Sequence, residues 1–253
     1  MADTIKIVGS GGLGDSAILA AKLLNLEVAL PRTATIDYVH LESDKLLKYK
    51  EPLHEFWGLI AKYFYKVGRK FNHHIAFYPH GAFWQVVPRQ VYNTALGLTT
   101  KVDALVAPIP PLFTRPANND NVVIVTDGGM GTRGIDLKVA QLIADYYNTH
   151  VLLVGANKID EPNHLKISNL SGKICLAEAI KFILGAKLVI APDGILGYIA
   201  FLWNVPNIII FHELQLINQY WADGMRTSVA LFHPGRLTDG RKLIKEVDKL
   251  CVL

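Results

Sequence analysis

The residues best equipped for chemistry stand at the start of the chain. Gly9-x-Gly11-x-x-Gly14 runs directly into Asp15 and follows a short apolar run at residues 5–8. Such spacing reads as strand, glycine turn and helix, the opening unit of a nucleotide-binding α/β fold. The glycines are expected to supply positive φ and a bare backbone that a ligand can approach. The helix start supplies unpaired N–H groups and the positive end of the helix dipole. A phosphate is the usual guest there, but Asp15 puts a carboxylate in its place. A docked pyrophosphate would meet that charge at close range. Asp15 suits two roles that can coexist. As an N-cap it would hold the helix start; as an acid fixed by backbone N–H groups it would suit a general base. The dinucleotide fingerprint also expects an acid ending the second strand. Residues 26–32, read as that strand, close on Pro31-Arg32 instead. Both features argue against NAD.

Other reactive side chains form no familiar constellation. His73-His74, His80, His212 and His233 lack the i, i+4 spacing with a carboxylate that a zinc site needs. His40 and His54 are expected at the surface or in satisfied polar contacts. Ser10 and Ser16 have no neighbouring base motif, and no Gly-x-Ser-x-Gly elbow occurs. Cys175 and Cys251 form neither a metal spacing nor a disulfide framework, which suits a reducing compartment.

The elements that must position these residues alternate strand and helix. After the opening unit come short β-prone runs at 28–30 and 35–39, a helix over 53–67, a strand over 74–78, a helix around 89–96 and a strand over 102–107. Prolines 108, 110, 111 and 116 and a polar run to Asn121 then mark a linker. The second half restarts with Val122-Val123-Ile124-Val125, near-continuous in β-branched residues as buried parallel strands are. A glycine-rich loop at 127–134 and a helix over 136–147 follow. Strands at 151–155, 188–191 and 208–211 come next, with helices at 176–184, 196–202 and 243–250. The expected architecture is α/β: two Rossmann-like domains, residues 1–117 and 118–253, facing each other across a ligand cleft.

At 253 residues and 51% hydrophobic, the chain has an ample core. A formal charge of +4 permits an acidic partner without demanding one. Residues 1–4 run straight into the first strand with no signal-peptide core, so the expected location is cytoplasmic. The most apolar stretch, 182–203, is broken by Lys187, Pro192, Asp193 and glycines, which favours strand–turn–helix over a membrane span.

A family resemblance rests on two motif groups. Asn169-Leu170-Ser171-Gly172 with Leu176 and Glu178 precedes Ala191-Pro192-Asp193-Gly194, and Asn204-Val205-Pro206 follows. This resembles the C-terminal half of glycosyltransferase family 9, the ADP-heptose:lipopolysaccharide heptosyltransferases. There an N-L-x-G-x-x-x-L-x-E segment leads to D-S/T-G-x-x-H and then G-V-P. The opening Gly-Gly-Leu-Gly-Asp resembles the family's G-x-x-G-D. The resemblance covers most of residues 5–25 and 122–212 and implies a GT-B fold, a short member with a trimmed acceptor domain, and an inverting transfer from a nucleotide-diphosphate sugar without a metal or other cofactor.

The resemblance also implies roles for particular residues. Asp15 falls at the general base, with Gly12 and Gly14 shaping the acceptor-side turn. Donor contacts fall on Gly131, Thr132, Arg133, Lys138, Asp193, Gly194 and Tyr198. Backbone N–H groups at 131–134, the helix start behind them, and Arg133 or Lys138 would carry the charge on the departing diphosphate. For Arg133 and Lys138 the plain alternative is a solvated helix start, and for Asp193 a capping acid. Gly194 departs from the family hydroxyl and Tyr198 from the histidine.

The acceptor is left open between a phosphorylated glycan, such as lipopolysaccharide core at a membrane surface, and a modified base in DNA. Residues 45–92 interleave Lys45, Lys48, Lys62, Lys66 and Lys70 with Trp57, Tyr63 and Phe64, a pattern that grips phosphates and stacks on rings. A solvated lysine stripe explains it slightly better than either ligand. Two competing functions are a nucleotide-binding module without transfer and a nucleotide-sugar epimerase of the same shape.

Overall fold

In a computed structural model of the chain, the described residues are 4–10, 12–79, 94–95, 98–99, 120–127, 133–214, 217 and 227–250. They belong to two compact units, Met1–Thr114 and Arg115–Leu253.

The first unit is built on three parallel strands in sequential order, β1 (Thr4–Ser10), β2 (Thr35–Ser43) and β3 (Phe71–Tyr78). Helix α1 (Leu13–Ala29) connects β1 to β2. A 3-10 turn (Asp44–Tyr49) and helix α2 (Lys50–Lys66) connect β2 to β3. Helix α2 buries Leu53, Phe56, Trp57, Ile60, Tyr63 and Phe64, an i, i+3, i+4, i+7 stripe. Two expectations fail here. Residues 28–29 are the end of α1, because nothing between Leu13 and Pro31 breaks a helix. The second strand is therefore β2, and it reaches Ser43 rather than stopping at Val39. The helix expected around 89–96 is also corrected at its end: Thr94–Ala95 (β4) pairs antiparallel with Leu98–Thr99 (β5), in a stretch whose threonines favour strand. Residues 89–93, 96–97 and the strand expected at 102–107 lie outside the described residues.

Arg69 is buried and donates to the carbonyls of Pro31 and Leu30, at 3.1 Å to the latter. It thereby ties the turn beyond the end of α1 to the start of β3, adding a donor to the Pro31 carbonyl that Ala34 N–H already bonds at 3.0 Å. The basic–aromatic stretch sorts itself by burial. Trp57, Tyr63 and Phe64 go into the core, while Lys45, Lys48, Lys62, Lys66 and Lys70 stay exposed. These lysines are solvated, and Tyr65 among them is exposed as well.

Among its described residues the second unit holds six parallel strands: β6 (Val122–Val125), β7 (Val151–Val154), β8 (Ile167–Asn169), β9 (Leu188–Pro192), β10 (Asn207–Phe211) and β11 (Ser228–Phe232). Their order is β11-β10-β9-β6-β7-β8. The chain winds outward from β6 to β8, returns beside β6 as β9, and winds outward the other way. That is the doubly wound nucleotide-binding order, with its switch point between β6 and β9.

Helix α3 (Leu137–Tyr146) starts at Asp136, whose Oδ1 accepts from Lys138 N–H at 2.9 Å. It packs with α6 (Arg241–Leu250) on one face of the sheet, over Val122, Ile124, Ile190, Ile208 and Ile210. Helices α4 (Leu176–Gly185) and α5 (Ile195–Leu202) follow β8 and β9. Gly197 lets α5 lie close on the opposite face, since a Cβ there would stand 3.3 Å from Ala191 Cβ and 3.6 Å from Ile209 Cγ1. Strands β6, β9 and β10 are buried along their full length, as expected for strands covered on both faces.

Candidate functional site

In an open α/β sheet, ligands bind beyond the C-terminal ends of the strands, at the switch point. In the second unit those ends carry Thr126-Asp127 after β6, Asp193-Gly194 after β9, His212-Glu213 after β10 and His233 after β11. Asp193 lies at the centre of a charged cluster. It is 5% exposed, and its backbone N–H donates to Ile210 O at 3.0 Å, fixing it against β10. Its Oδ2 accepts from an Arg133 Nη at 2.8 Å and its Oδ1 stands 3.0 Å from His212 Nδ1. The other nitrogen of His212 lies 3.3 Å from Glu213 Oε1. Burial pushes the Asp193 carboxyl above its ordinary value, while Arg133 and His212 pull it back. Arg133 comes from the loop between β6 and α3, so its pairing with Asp193 spans the switch point. Its Nε is buried with no hydrogen-bond partner among the described residues.

Of the other expected donor contacts, Lys138, Gly194 and Tyr198 lie among the described residues. Lys138 is exposed, and its backbone N–H is taken by Asp136, so the start of α3 already carries its own carboxylate. Helix α5 contrasts with it: its N-cap is Gly194, with no side-chain cap and no acid in the first turn. Tyr198 is 5% exposed within α5, so its side chain belongs to the interior. Gly131 and Thr132 lie outside the described residues.

Gly194 has φ 169° and ψ −179°, extended backbone open to any residue, and an added Cβ would meet only Pro192 O at 3.9 Å. Gly194→Ser is therefore expected to fold normally. It should raise stability by a few tenths of a kcal/mol as a better N-cap, which urea denaturation will measure. A clear loss of stability would show that something fills the space beside Gly194.

No protein-family model matches the chain, and no curated protein does. Solved structures do match. Heptosyltransferase WaaC of E. coli, solved with ADP, aligns over 97% of this chain and 100% of its own at 11% identity, with a TM-score of 0.55. E. coli ADP-heptose lipopolysaccharide heptosyltransferase II aligns over 99% and 98% at 11% identity and a TM-score of 0.52. TibC of enterotoxigenic E. coli, described as an iron-containing dodecameric glycosyltransferase, aligns over 95% and 64% at 12% identity and 0.51. The chain has the heptosyltransferase fold. It is α/β and GT-B-like.

Within that fold, the residues that carried the sequence resemblance around 169–178 do structural work. Asn169 Oδ1 accepts from Ser171 N–H at 3.0 Å, Gly172 takes a positive φ of 67°, and Glu178 Oε2 accepts from Cys175 N–H at 3.2 Å at the start of α4. They shape a turn and cap a helix.

The first unit brings Gly12, Gly14 and Asp15 together at the C-terminal end of β1. Asp15 is the third residue of α1, and its Oδ2 accepts from Gly12 N–H at 3.0 Å. The acid thus reaches back from inside the helix, as the acid of a capping box does, instead of standing at the N-cap. Gly9, Gly12 and Gly14 do not take the positive φ expected of the motif, which the described glycines show at Gly68, Gly172 and Gly235; Gly11 lies outside the described residues. Gly9 is extended within β1, and a Cβ there would stand 2.5 Å from the Tyr38 hydroxyl. Its bare Cα makes room for a neighbouring side chain.

That side chain belongs to a polar chain that sequence reading missed. Tyr38, His40 and Glu42 alternate along one face of β2, all buried. The Tyr38 hydroxyl is 2.8 Å from His40 Nδ1, and Trp57 lies over the Tyr38 ring with 4.2 Å between centroids. Burial, and then the Glu42 charge, raise the Tyr38 hydroxyl well above its ordinary value. Glu42 is an acid near the end of the true second strand, so one argument against a dinucleotide lapses. Its side chain is only 3% exposed, however, and its Oε1 accepts from Ser43 N–H at 2.7 Å. It is closed to a ribose.

Among the described residues, no group of three or more His, Cys, Asp or Glu could hold a metal ion, and no helix is long and apolar enough to cross a membrane.

Proposed function

We propose that the chain is a glycosyltransferase that moves a sugar from a nucleoside-diphosphate donor to an acceptor hydroxyl. The second unit holds the donor around Arg133, Asp193 and the open start of α5, and the first unit supplies Asp15 as base. Asp15 takes the acceptor proton as the acceptor oxygen attacks the anomeric carbon. The bond to the diphosphate breaks, its electron pair leaves on the diphosphate oxygen, and the sugar inverts. Arg133, with N–H groups at the start of α5, receives that developing charge, so the reading calls for no cation.

The observation that carries this reading is the Arg133–Asp193 pair at the switch point of a doubly wound sheet, in a fold shared end to end with an enzyme solved with ADP. The neighbours' names, one solved with ADP and one an ADP-heptose lipopolysaccharide heptosyltransferase, support a nucleotide sugar as donor.

A thermal-shift panel of nucleoside diphosphates and nucleotide sugars tests it. At 100-fold excess over the dissociation constant, a bound donor adds about 2.7 kcal/mol and raises Tm by several degrees. A single base should stand out, with the diphosphate required. No shift with any nucleoside diphosphate would overturn the donor assignment. Donor turnover without an acceptor would favour an epimerase, and binding without turnover a non-transferring module.

A further inference from the structure

We propose that His212 is the positioning residue of the donor site: its imidazole holds Asp193 from one side so that Asp193 aims the Arg133 guanidinium at the diphosphate. The inference rests on the donor reading above and assigns a residue that no motif in the sequence marks.

The geometry is specific. Asp193 is divided between two partners, one oxygen to each: Oδ2 to Arg133 at 2.8 Å and Oδ1 to His212 Nδ1 at 3.0 Å. A carboxylate held by Arg133 alone could swing about its Cβ–Cγ bond. Held at both oxygens and anchored by its own N–H to Ile210 O, it has one orientation. The imidazole is itself fixed at its far side, with Nε2 3.3 Å from Glu213 Oε1. Each ring nitrogen of His212 therefore faces a carboxylate oxygen, an arrangement that only the imidazolium satisfies with two donated hydrogen bonds. The chain of contact runs Glu213, His212, Asp193, Arg133 and crosses from β10 through β9 to the loop after β6.

The charges set the direction of the pH effect. Among the described residues, the groups that face the ring are Asp193 and Glu213, both carboxylates, with Arg133 on the far oxygen of Asp193. With His212 charged, the four groups sum to zero. When the ring loses its proton they sum to minus one, next to the place where a diphosphate must bind. Donor affinity is then higher with the ring charged than with it neutral, which gives binding a limb that falls with rising pH. A purely structural histidine would give no such limb.

The test is nucleoside diphosphate binding by calorimetry from acid to neutral pH, using the base selected by the thermal-shift panel. His212→Ala should weaken binding roughly tenfold or more, the size expected on losing a charged hydrogen bond, and flatten the pH dependence. His212→Asn keeps a donor near the Nδ1 position and no charge. It should recover most of the affinity at neutral pH but not the pH limb. Wild-type affinity with an unchanged pH profile in His212→Ala would overturn the inference. If the wild type binds no nucleoside diphosphate, the donor reading fails separately. The positioning role is then decided by 13C NMR titration of the Asp193 carboxyl, which moves upward in His212→Asn at pH values where the wild-type ring is charged. A carboxyl that titrates as in the wild type would overturn it.

Discussion

Asp15→Asn is expected to cut sugar transfer by orders of magnitude while nucleoside diphosphate affinity stays at the wild-type level. The separation follows from where the residue lies: Asp15 belongs to the first unit, and the proposed donor contacts all belong to the second. Asparagine is the informative replacement. Its side-chain oxygen can still accept from Gly12 N–H as Asp15 Oδ2 does at 3.0 Å, so the start of α1 is kept. The amide cannot take a proton from an attacking hydroxyl. Loss of a general base is worth roughly 10²- to 10⁴-fold in turnover. Asp15→Ala removes the cap as well and costs about 1 kcal/mol in stability, which would mix two effects. The measurement is initial-rate transfer, or donor hydrolysis with water as acceptor, beside calorimetry with the nucleoside diphosphate. Turnover within a few-fold of wild type would remove Asp15 from the reaction and leave it a helix-capping acid.

What could be read from the sequence divides along physical lines. The second unit was legible because its central strands are buried on both faces, and so appear as unbroken apolar runs at 122–125, 188–191 and 208–211. Strand β8 was not, since three residues, Ile167-Ser168-Asn169, carry no period to detect. Strand β11 has an apolar run at 229–232, but only half-buried, so it lacks the flanking signals of the central strands. Residues 28–30 misled because β-branched and aliphatic residues look alike in a short window, and only the absence of a breaker before Pro31 identifies the helix. That error hid Glu42. The site divides in the same way. Asp193 was legible from its place at the end of a buried strand. His212 was not, because a histidine after a strand is ordinary in sequence, and its meaning comes from β10 lying beside β9.

The largest stability effect should come from breaking the Arg133–Asp193 pair. Arg133→Met leaves Asp193, 5% exposed, with the His212 imidazole as its remaining side-chain partner among those described. Removing one member of a buried ion pair typically costs about 3–5 kcal/mol, because the other charge stays desolvated and uncompensated. Asp193→Asn should cost less, since the Arg133 side chain is 16% exposed and its head can turn toward water. The double variant should be more stable than the sum of the single losses allows, by roughly 1–3 kcal/mol. Strict additivity in urea denaturation would mean that the pair contributes no coupling. The pH dependence gives a second reading. Burial already raises the folded Asp193 carboxyl above its unfolded value, against the pull of Arg133 and then His212, and loss of Arg133 raises it further. A raised carboxyl contributes stability that is fully present below the unfolded value and is lost as pH climbs through the folded one. The deficit of Arg133→Met should therefore be small in acid, where Asp193 is protonated, and grow toward neutral pH. Asp193→Asn, with no carboxyl at this position, should remove that dependence. A deficit that stays constant from acid to neutral pH would mean that Arg133 stabilises the fold through its packing and not through the charge of Asp193.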